Sequence, residues 1–236
     1  MENYKADQAK KDSIQAIYEQ GLQLYKNGEK QEAIKKLLEA ATEGHMLAQY
    51  RLGECYFLGL GVEDDEKQAA EWYRKAAEQG YASAQYQLGS CYYFGFGVEQ
   101  DRERAVEWYR KAALDEHPRA LYSLGFCYYY GKGVEQDRIQ AAEYYRQSAD
   151  HENSDAMLSL ALCYYYGEGV GKDRKQAADL FRDAAELWNV DAMYRLGKCY
   201  EDGEGVSKDV DQAIKWYRLA AEQGHELAED ALKDLE

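Results

Sequence analysis

Six alanines, Ala48, Ala84, Ala120, Ala156, Ala192 and Ala228, stand 36 residues apart. Other columns keep the same step. Glycine pairs recur at Gly59/Gly61, Gly95/Gly97, Gly131/Gly133, Gly167/Gly169 and Gly203/Gly205, each followed by a valine (Val62, Val98, Val134, Val170, Val206). An aspartate comes next: Asp65, Asp101, Asp137, Asp173 and Asp209. Five full repeats span residues 48–227. So regular a period restricts the chain to an array of stacked units, each resting mainly on its neighbours.

Each unit reads as two helices. The first runs from Ala48 to Leu58 and stops at Gly59-Leu60-Gly61, since glycine suits the left-handed C-cap and the turn beyond it. The recurring aspartate is the N-cap of the second helix, accepting from free backbone N–H groups. Gln68, Gln140, Gln176 and Gln212 follow three residues later, as in a capping box, with Arg104 the exception. The second helix runs from Glu66 to Gln79, with Ala69, Trp72, Tyr73, Ala76 and Ala77 on its apolar side. Small alanines let helices approach closely. A single proline in 236 residues leaves the helices uninterrupted.

The stretch AQYRLGECYFLGLGVEDDEKQAAEWYRKAAEQG (48–80) resembles a Sel-1-like repeat, a relative of the tetratricopeptide repeat. Repeat three departs with Tyr144-Tyr145 for Trp-Tyr and Glu152 for the final Gly; repeat four with Ala161 for the first Gly and Leu180-Phe181 for Trp-Tyr. Residues 17–44 resemble the same unit with a shorter loop. The resemblance implies an all-α fold, a right-handed superhelical α/α solenoid. Its expected organisation is a disordered segment at 1–12, a tetratricopeptide-like helix pair at 13–47, five repeats at 48–227 and a capping helix at 228–236, all in one continuous domain.

Composition narrows the function. A formal net charge of −15 opposes binding to a phosphate backbone and to anionic lipid; no nucleic-acid or membrane partner is expected, and basic partners are favoured. The opening residues MENYKADQAKKD lack the apolar core of a signal peptide, so a cytoplasmic location is expected. Cys55, Cys91, Cys127, Cys163 and Cys199 share one repeat position without any C-x-x-C or Cys/His cluster, which reads as small buried residues. Some secreted members of the resembled family pair such cysteines within a repeat; here the second cysteine is missing. His45, His117 and His225 share one inter-repeat turn position with Tyr81 and read as structural. The G-x-G-V segments lack the Lys and third Gly of a phosphate loop, and Glu63-Asp64-Asp65-Glu66 lacks the alternation of a calcium loop. No catalytic constellation, metal or cofactor is expected.

The first helix has one unusual face. At about 100° per residue, with Leu52 at zero, Ala48, Cys55 and Tyr56 fall on the buried side, while Tyr50, Glu54 and Phe57 fall opposite. A solvated face should be polar there. The equivalent triples are instead Tyr86, Ser90, Tyr93; Tyr122, Phe126, Tyr129; Leu158, Leu162, Tyr165; and Tyr194, Lys198, Glu201. Residues 58, 94, 130, 166 and 202 lie on the flank at about 240° and read Leu, Phe, Tyr, Tyr, Asp. By resemblance the first helices line a concave surface. The candidate groove residues are therefore Tyr86, Tyr93, Tyr122, Phe126, Tyr129, Leu162, Tyr165 and Tyr194.

Tyrosine combines contact area, low entropy loss and a hydroxyl, and its ring face suits Arg or Lys. The expected function is a monomeric, non-enzymatic interaction scaffold that takes a basic or proline-rich peptide or protein segment. Self-association through the same stripe is the alternative, ahead of a carbohydrate-binding or hydrolytic role. The basic residues of a carboxylate clamp are too few for capture of an acidic tail.

Overall fold

The structure is a computed structural model that describes the backbone of residues 2–235 and the side chains of residues 7–235. The described residues form thirteen helices and no strand, and the chain divides into two compact units, one ending at Asp115 and one beginning at Glu116. One continuous domain was the expectation. Where each repeat meets only its neighbours, compactness can divide at an inter-repeat junction.

The first unit holds α1 (Glu2–Lys26), α2 (Lys30–Thr42), α3 (Met46–Leu58), α4 (Glu66–Glu78), α5 (Ala82–Phe94) and α6 (Arg102–Leu114). The second holds α7 (Pro118–Tyr130), α8 (Arg138–Asp150), α9 (Ser154–Tyr166), α10 (Arg174–Glu186), α11 (Val190–Asp202), α12 (Val210–Glu222) and α13 (Glu226–Leu235). Within each unit every helix packs on the next in sequence.

Both ends of each repeat helix are set locally. Asp65 accepts from the N–H groups of Lys67 at 2.9 Å and Gln68 at 3.0 Å, and Asp101, Asp137, Asp173 and Asp209 cap their helices in the same way. First helices are capped by the turn column: Nδ1 of His45, His117 and His225 accepts from the N–H of Ala48, Ala120 and Ala228, while Asn153 and Asn189 accept through Oδ1. Tyr81 occupies this place without a side-chain cap. Gly59, Gly95, Gly131, Gly167 and Gly203 end the first helices in the left-handed region.

The second glycine of the pair serves a tertiary contact at Gly97, Gly169 and Gly205. A Cβ on Gly97, Gly169 or Gly205 would run into the carbonyl oxygen of Glu66, Arg138 or Arg174. Each loop thus rests its backbone on the first residue of the preceding repeat's second helix. A different close approach sits inside the repeat. A Cβ on Gly53 or Gly125 would lie 2.5 Å from the ring of Tyr73 or Tyr145, and Gly89 and Gly197 face Tyr109 and Tyr217 at 2.7 and 2.6 Å. Repeat four changes both partners at once, with Ala161 and Phe181 buried in one cluster. Around these contacts Leu52, Leu88, Leu124 and Leu196 are fully buried with the alanine and cysteine columns.

Residues 2–12, expected to be disordered, belong to α1. The segment holds three Lys and two Ala and neither Gly nor Pro, and so favours helix. Gln8 donates to Asp12 at 2.8 Å, and Lys10 pairs with Glu43 at 3.0 Å, just beyond the end of α2. Met1 and Glu236 lie outside the described residues. The closing helix starts at Glu226, two residues earlier than the sequence suggests.

Candidate functional site

The pentads beginning at each cysteine close the first helices, and their five positions have separate fates. The cysteines are buried, and none forms a disulfide. Burial, with a nearby carboxylate adding, pushes the thiols of Cys55, Cys163 and Cys199 up to about 11, which keeps them protonated and unreactive near neutrality. The first tyrosine lies against the core, and in three repeats its hydroxyl accepts from an arginine of the preceding repeat's second helix: Arg74 to Tyr92 at 3.4 Å, Arg146 to Tyr164 at 3.1 Å and Arg182 to Tyr200 at 3.4 Å.

The second aromatic of the pentad is only half-exposed, although the helical wheel points it away from the core. The next repeat's G-x-G loop folds beside it. The hydroxyl of Tyr129 donates to Glu168, that of Tyr165 to Glu204, each 39 residues ahead. The guanidinium of Arg138 lies 5.4 Å from the Tyr129 ring centre and its Nη1 pairs with Glu168 at 2.8 Å. Arg174 lies 3.9 Å over Tyr165 and pairs with Glu204. Burial, reinforced by the hydrogen bond to Glu204, pushes the Tyr165 phenol up to about 12. In the first unit Phe57 meets Phe96 at 5.7 Å, while Tyr93 packs on Phe94 at 4.8 Å under Arg102 at 5.5 Å.

The remaining candidate residues are partly buried as well. Tyr86, Tyr122 and Tyr194 pack on the second-helix tyrosines Tyr109, Tyr145 and Tyr217 of their own repeats, with ring centres 5.7–5.8 Å apart. Tyr194 also stacks on His225 at 4.6 Å. Phe126 leans on Tyr130 at 4.6 Å. Leu162, Tyr165 and Tyr194 come together with Arg195 and Lys198 around a cavity of about 70 Å³, floored by Phe181 and Cys199. Tyr86 and Tyr93 belong to the first unit and the other six candidates to the second.

Within the pentads the most open large apolar side chains are at the fourth position. Leu58, Phe94, Tyr130 and Tyr166 are 53–61% exposed. The wheel placed this column on the flank, and its Leu, Phe, Tyr, Tyr identity was the available signal. Beside Tyr130 and Tyr166 are the half-buried Tyr129 and Tyr165, whose hydroxyls are already engaged, so α7 and α9 each end in one anchored aromatic next to a more open one. That arrangement offers contact area and ring faces but no converging acid–base pair. Among the described residues no group of three His, Cys, Asp or Glu side chains could hold a metal ion, and no helix is long and apolar enough to cross a membrane.

Paired helices capped by Asp and closed by G-x-G define an α/α repeat protein. Sel1 repeats match residues 47–81, 82–117, 118–153, 154–187 and 190–225, and the chain belongs to the Sel1 repeat family. It is similar to c5321, a protective antigen present in uropathogenic Escherichia coli strains and displaying an SLR fold: 38% identity and a TM-score of 0.88 over 96% of this chain and 50% of that one. It is also similar to a Sel1 repeat protein from Oxalobacter formigenes, with 35% identity, a TM-score of 0.84, and coverage of 92% and 86%. The chain therefore spans half the length of the first relative and most of the second. Pseudomonas aeruginosa pilF, 20% identical with a TM-score of 0.67 over 97% of this chain and 100% of that one, shares the fold alone. No curated protein matches. Sel1 repeat proteins generally mediate protein–protein interaction and are generally non-catalytic scaffolds.

Proposed function

We propose that this chain is a non-enzymatic scaffold that binds an extended protein segment on the aromatic ends of its first helices, acting as a monomer in the cytoplasm. The observation that carries this reading is the column of open side chains, Leu58 and Phe94 in one unit and Tyr130 and Tyr166 in the other. Large exposed apolar side chains repeated at one place of a repeat are characteristic of interaction surfaces. The partner is basic or proline-rich. The chain's own Arg174, stacked over Tyr165 at 3.9 Å, is an internal example of how this face receives a guanidinium, and the net charge of −15 favours the same class.

Photo-crosslinking in the native cell tests this. A benzoylphenylalanine placed at position 130 or 166 should trap a partner protein, and one at the exposed second-helix position 147 should not. Equal trapping from all three sites would sink the reading. Trapping of a second copy from 130 and 166 would replace it with self-association.

A further inference from the structure

Each inter-repeat turn has a residue with φ between +53° and +93°: Gly44, Gly80, Glu116, Glu152, Trp188 and Gly224. Glycine is unstrained there, whereas a bulky L side chain is strongly disfavoured. Trp188 is also 68% exposed, beside Leu187 at 42%. The repeat does not ask for this residue. The Sel1 matches run without a break from 47 to 187, resume at 190, and leave Trp188 and Asn189 outside.

The other three tryptophans each carry a lysine from their own helix. Lys75 Nζ lies 3.7 Å from the Trp72 ring, Lys111 Nζ 3.7 Å from Trp108, and Lys215 Nζ 5.8 Å from Trp216. Among the described residues Trp188 has no such cation. Along the chain the charged residues nearest it are carboxylates instead: Asp183 and Glu186 in the last turn of α10 and Asp191 in the first turn of α11, while the adjacent Asn189 reaches Asp155 with its side-chain amide at 2.9 Å. The basic side chain just before it, Arg182, is engaged with Asp179 at 2.9 Å, and the His225 Nε2 lies 3.3 Å from Asp191. Burial, and then the charges of Glu186 and Asp179, push the Asp183 carboxyl up.

We propose that Trp188, with Asp183 and Glu186 in the helical turn that leads into it, is a docking point for an arginine on a basic segment of a partner protein. The indole supplies a ring face and the carboxylates supply acceptors, and a guanidinium can stack and form forked hydrogen bonds at once where an ammonium cannot. This site is separate from the first-helix face. Trp188 precedes the start of α11 and the pentad closes its far end, about 20 Å away along thirteen residues.

The test titrates the full chain with the peptide acetyl-AARAARAA-amide and with its citrulline counterpart, following the indole N–H signal of Trp188 by NMR. The Trp188 signal should move with the arginine peptide and stay still with citrulline. Trp188→Gly leaves the charge unchanged and suits the left-handed turn, so it should fold and weaken binding about tenfold. Trp188→Phe should recover part of that loss, and Asp183→Asn with Glu186→Gln should weaken binding further. Tyr130→Ser with Tyr166→Ser should bind like the parent, which separates this proposal from the first-helix reading. Binding by Trp188→Gly within twofold of the parent would overturn it, as would loss of binding in the Tyr130/Tyr166 variant alone. Movement of the Trp188 signal with protein concentration in the absence of peptide would overturn it in favour of a second copy.

Discussion

One slot of the repeat is filled by different chemistry in the two units. In the first, rings close it: Phe57 on Phe96 at 5.7 Å and Phe94 stacked on Phe96 at 5.3 Å, with Glu66 accepting from the Gly97 N–H at 3.3 Å. In the second, Arg138, Tyr129 and Glu168 close it once, and Arg174, Tyr165 and Glu204 close it again. The backbone beneath is the same, a glycine pressed on the first carbonyl of the preceding second helix. The glycine contact therefore sets the spacing between repeats, and the side chains above it are free to vary provided they fill the slot. Rings do so through apolar contact. The charged triad adds direction but exposes its energy to salt.

The largest effect should come from the shared backbone contact. Gly97→Ala and Gly169→Ala each place a Cβ against a carbonyl and force a left-handed φ on alanine, so each should lose about 3 kcal/mol or more. Urea unfolding with hydrogen exchange read separately on α4–α5 and α8–α9 checks this. A marked difference between the two losses would mean that the slots differ in backbone and not only in filling.

A smaller effect should separate the fillings. Glu204→Gln weakens one ion pair and one charged acceptor at a partly exposed site, a loss of about 1 kcal/mol that should fade in 1 M salt. Phe96→Leu should cost about 1 kcal/mol at either salt concentration. Equal salt responses would erase the distinction drawn between the units.

The smallest effect concerns the first-helix caps. Burial holds the His45 and His117 imidazoles below their ordinary 6.5, with Arg119 adding to the shift at His117. The folded state therefore favours the neutral ring, whose Nδ1 accepts the capping bond. Stability from these caps is present above pH 6.5, falls as pH drops from there toward the lowered folded value, and levels off below it. The loss per cap should not exceed the ~1 kcal/mol that a cap contributes. His117→Asn, which copies the cap at Asn153, should flatten the pH dependence of exchange in α7. An unchanged slope would mean that the cap does not titrate.

Legibility followed the range of each interaction. Asp65 and its counterparts, the glycine caps and the buried Leu52 column could be read from the chain, because a cap involves residues a few positions apart and a core stripe follows helical period. The repeat also exposed Ala161 and Phe181 as departures, although only the packing of Gly125 on Tyr145 explains why both ends of that contact changed together. The candidate face was half legible. The wheel identified an aromatic surplus but treated α7 and α9 as isolated cylinders, so it directed Tyr129 and Tyr165 outward and left Tyr130 and Tyr166 on the flank.

The sequence by itself determined the repeat, its two helices per unit, their glycine stops, the aspartate caps and the family, since all of these are written in local spacing. Only the tertiary structure decided which rings remain open. The acceptors of Tyr129 and Tyr165 lie 39 residues further along the chain, on loops whose position depends on a glycine packed against the preceding repeat, and no local period encodes that contact.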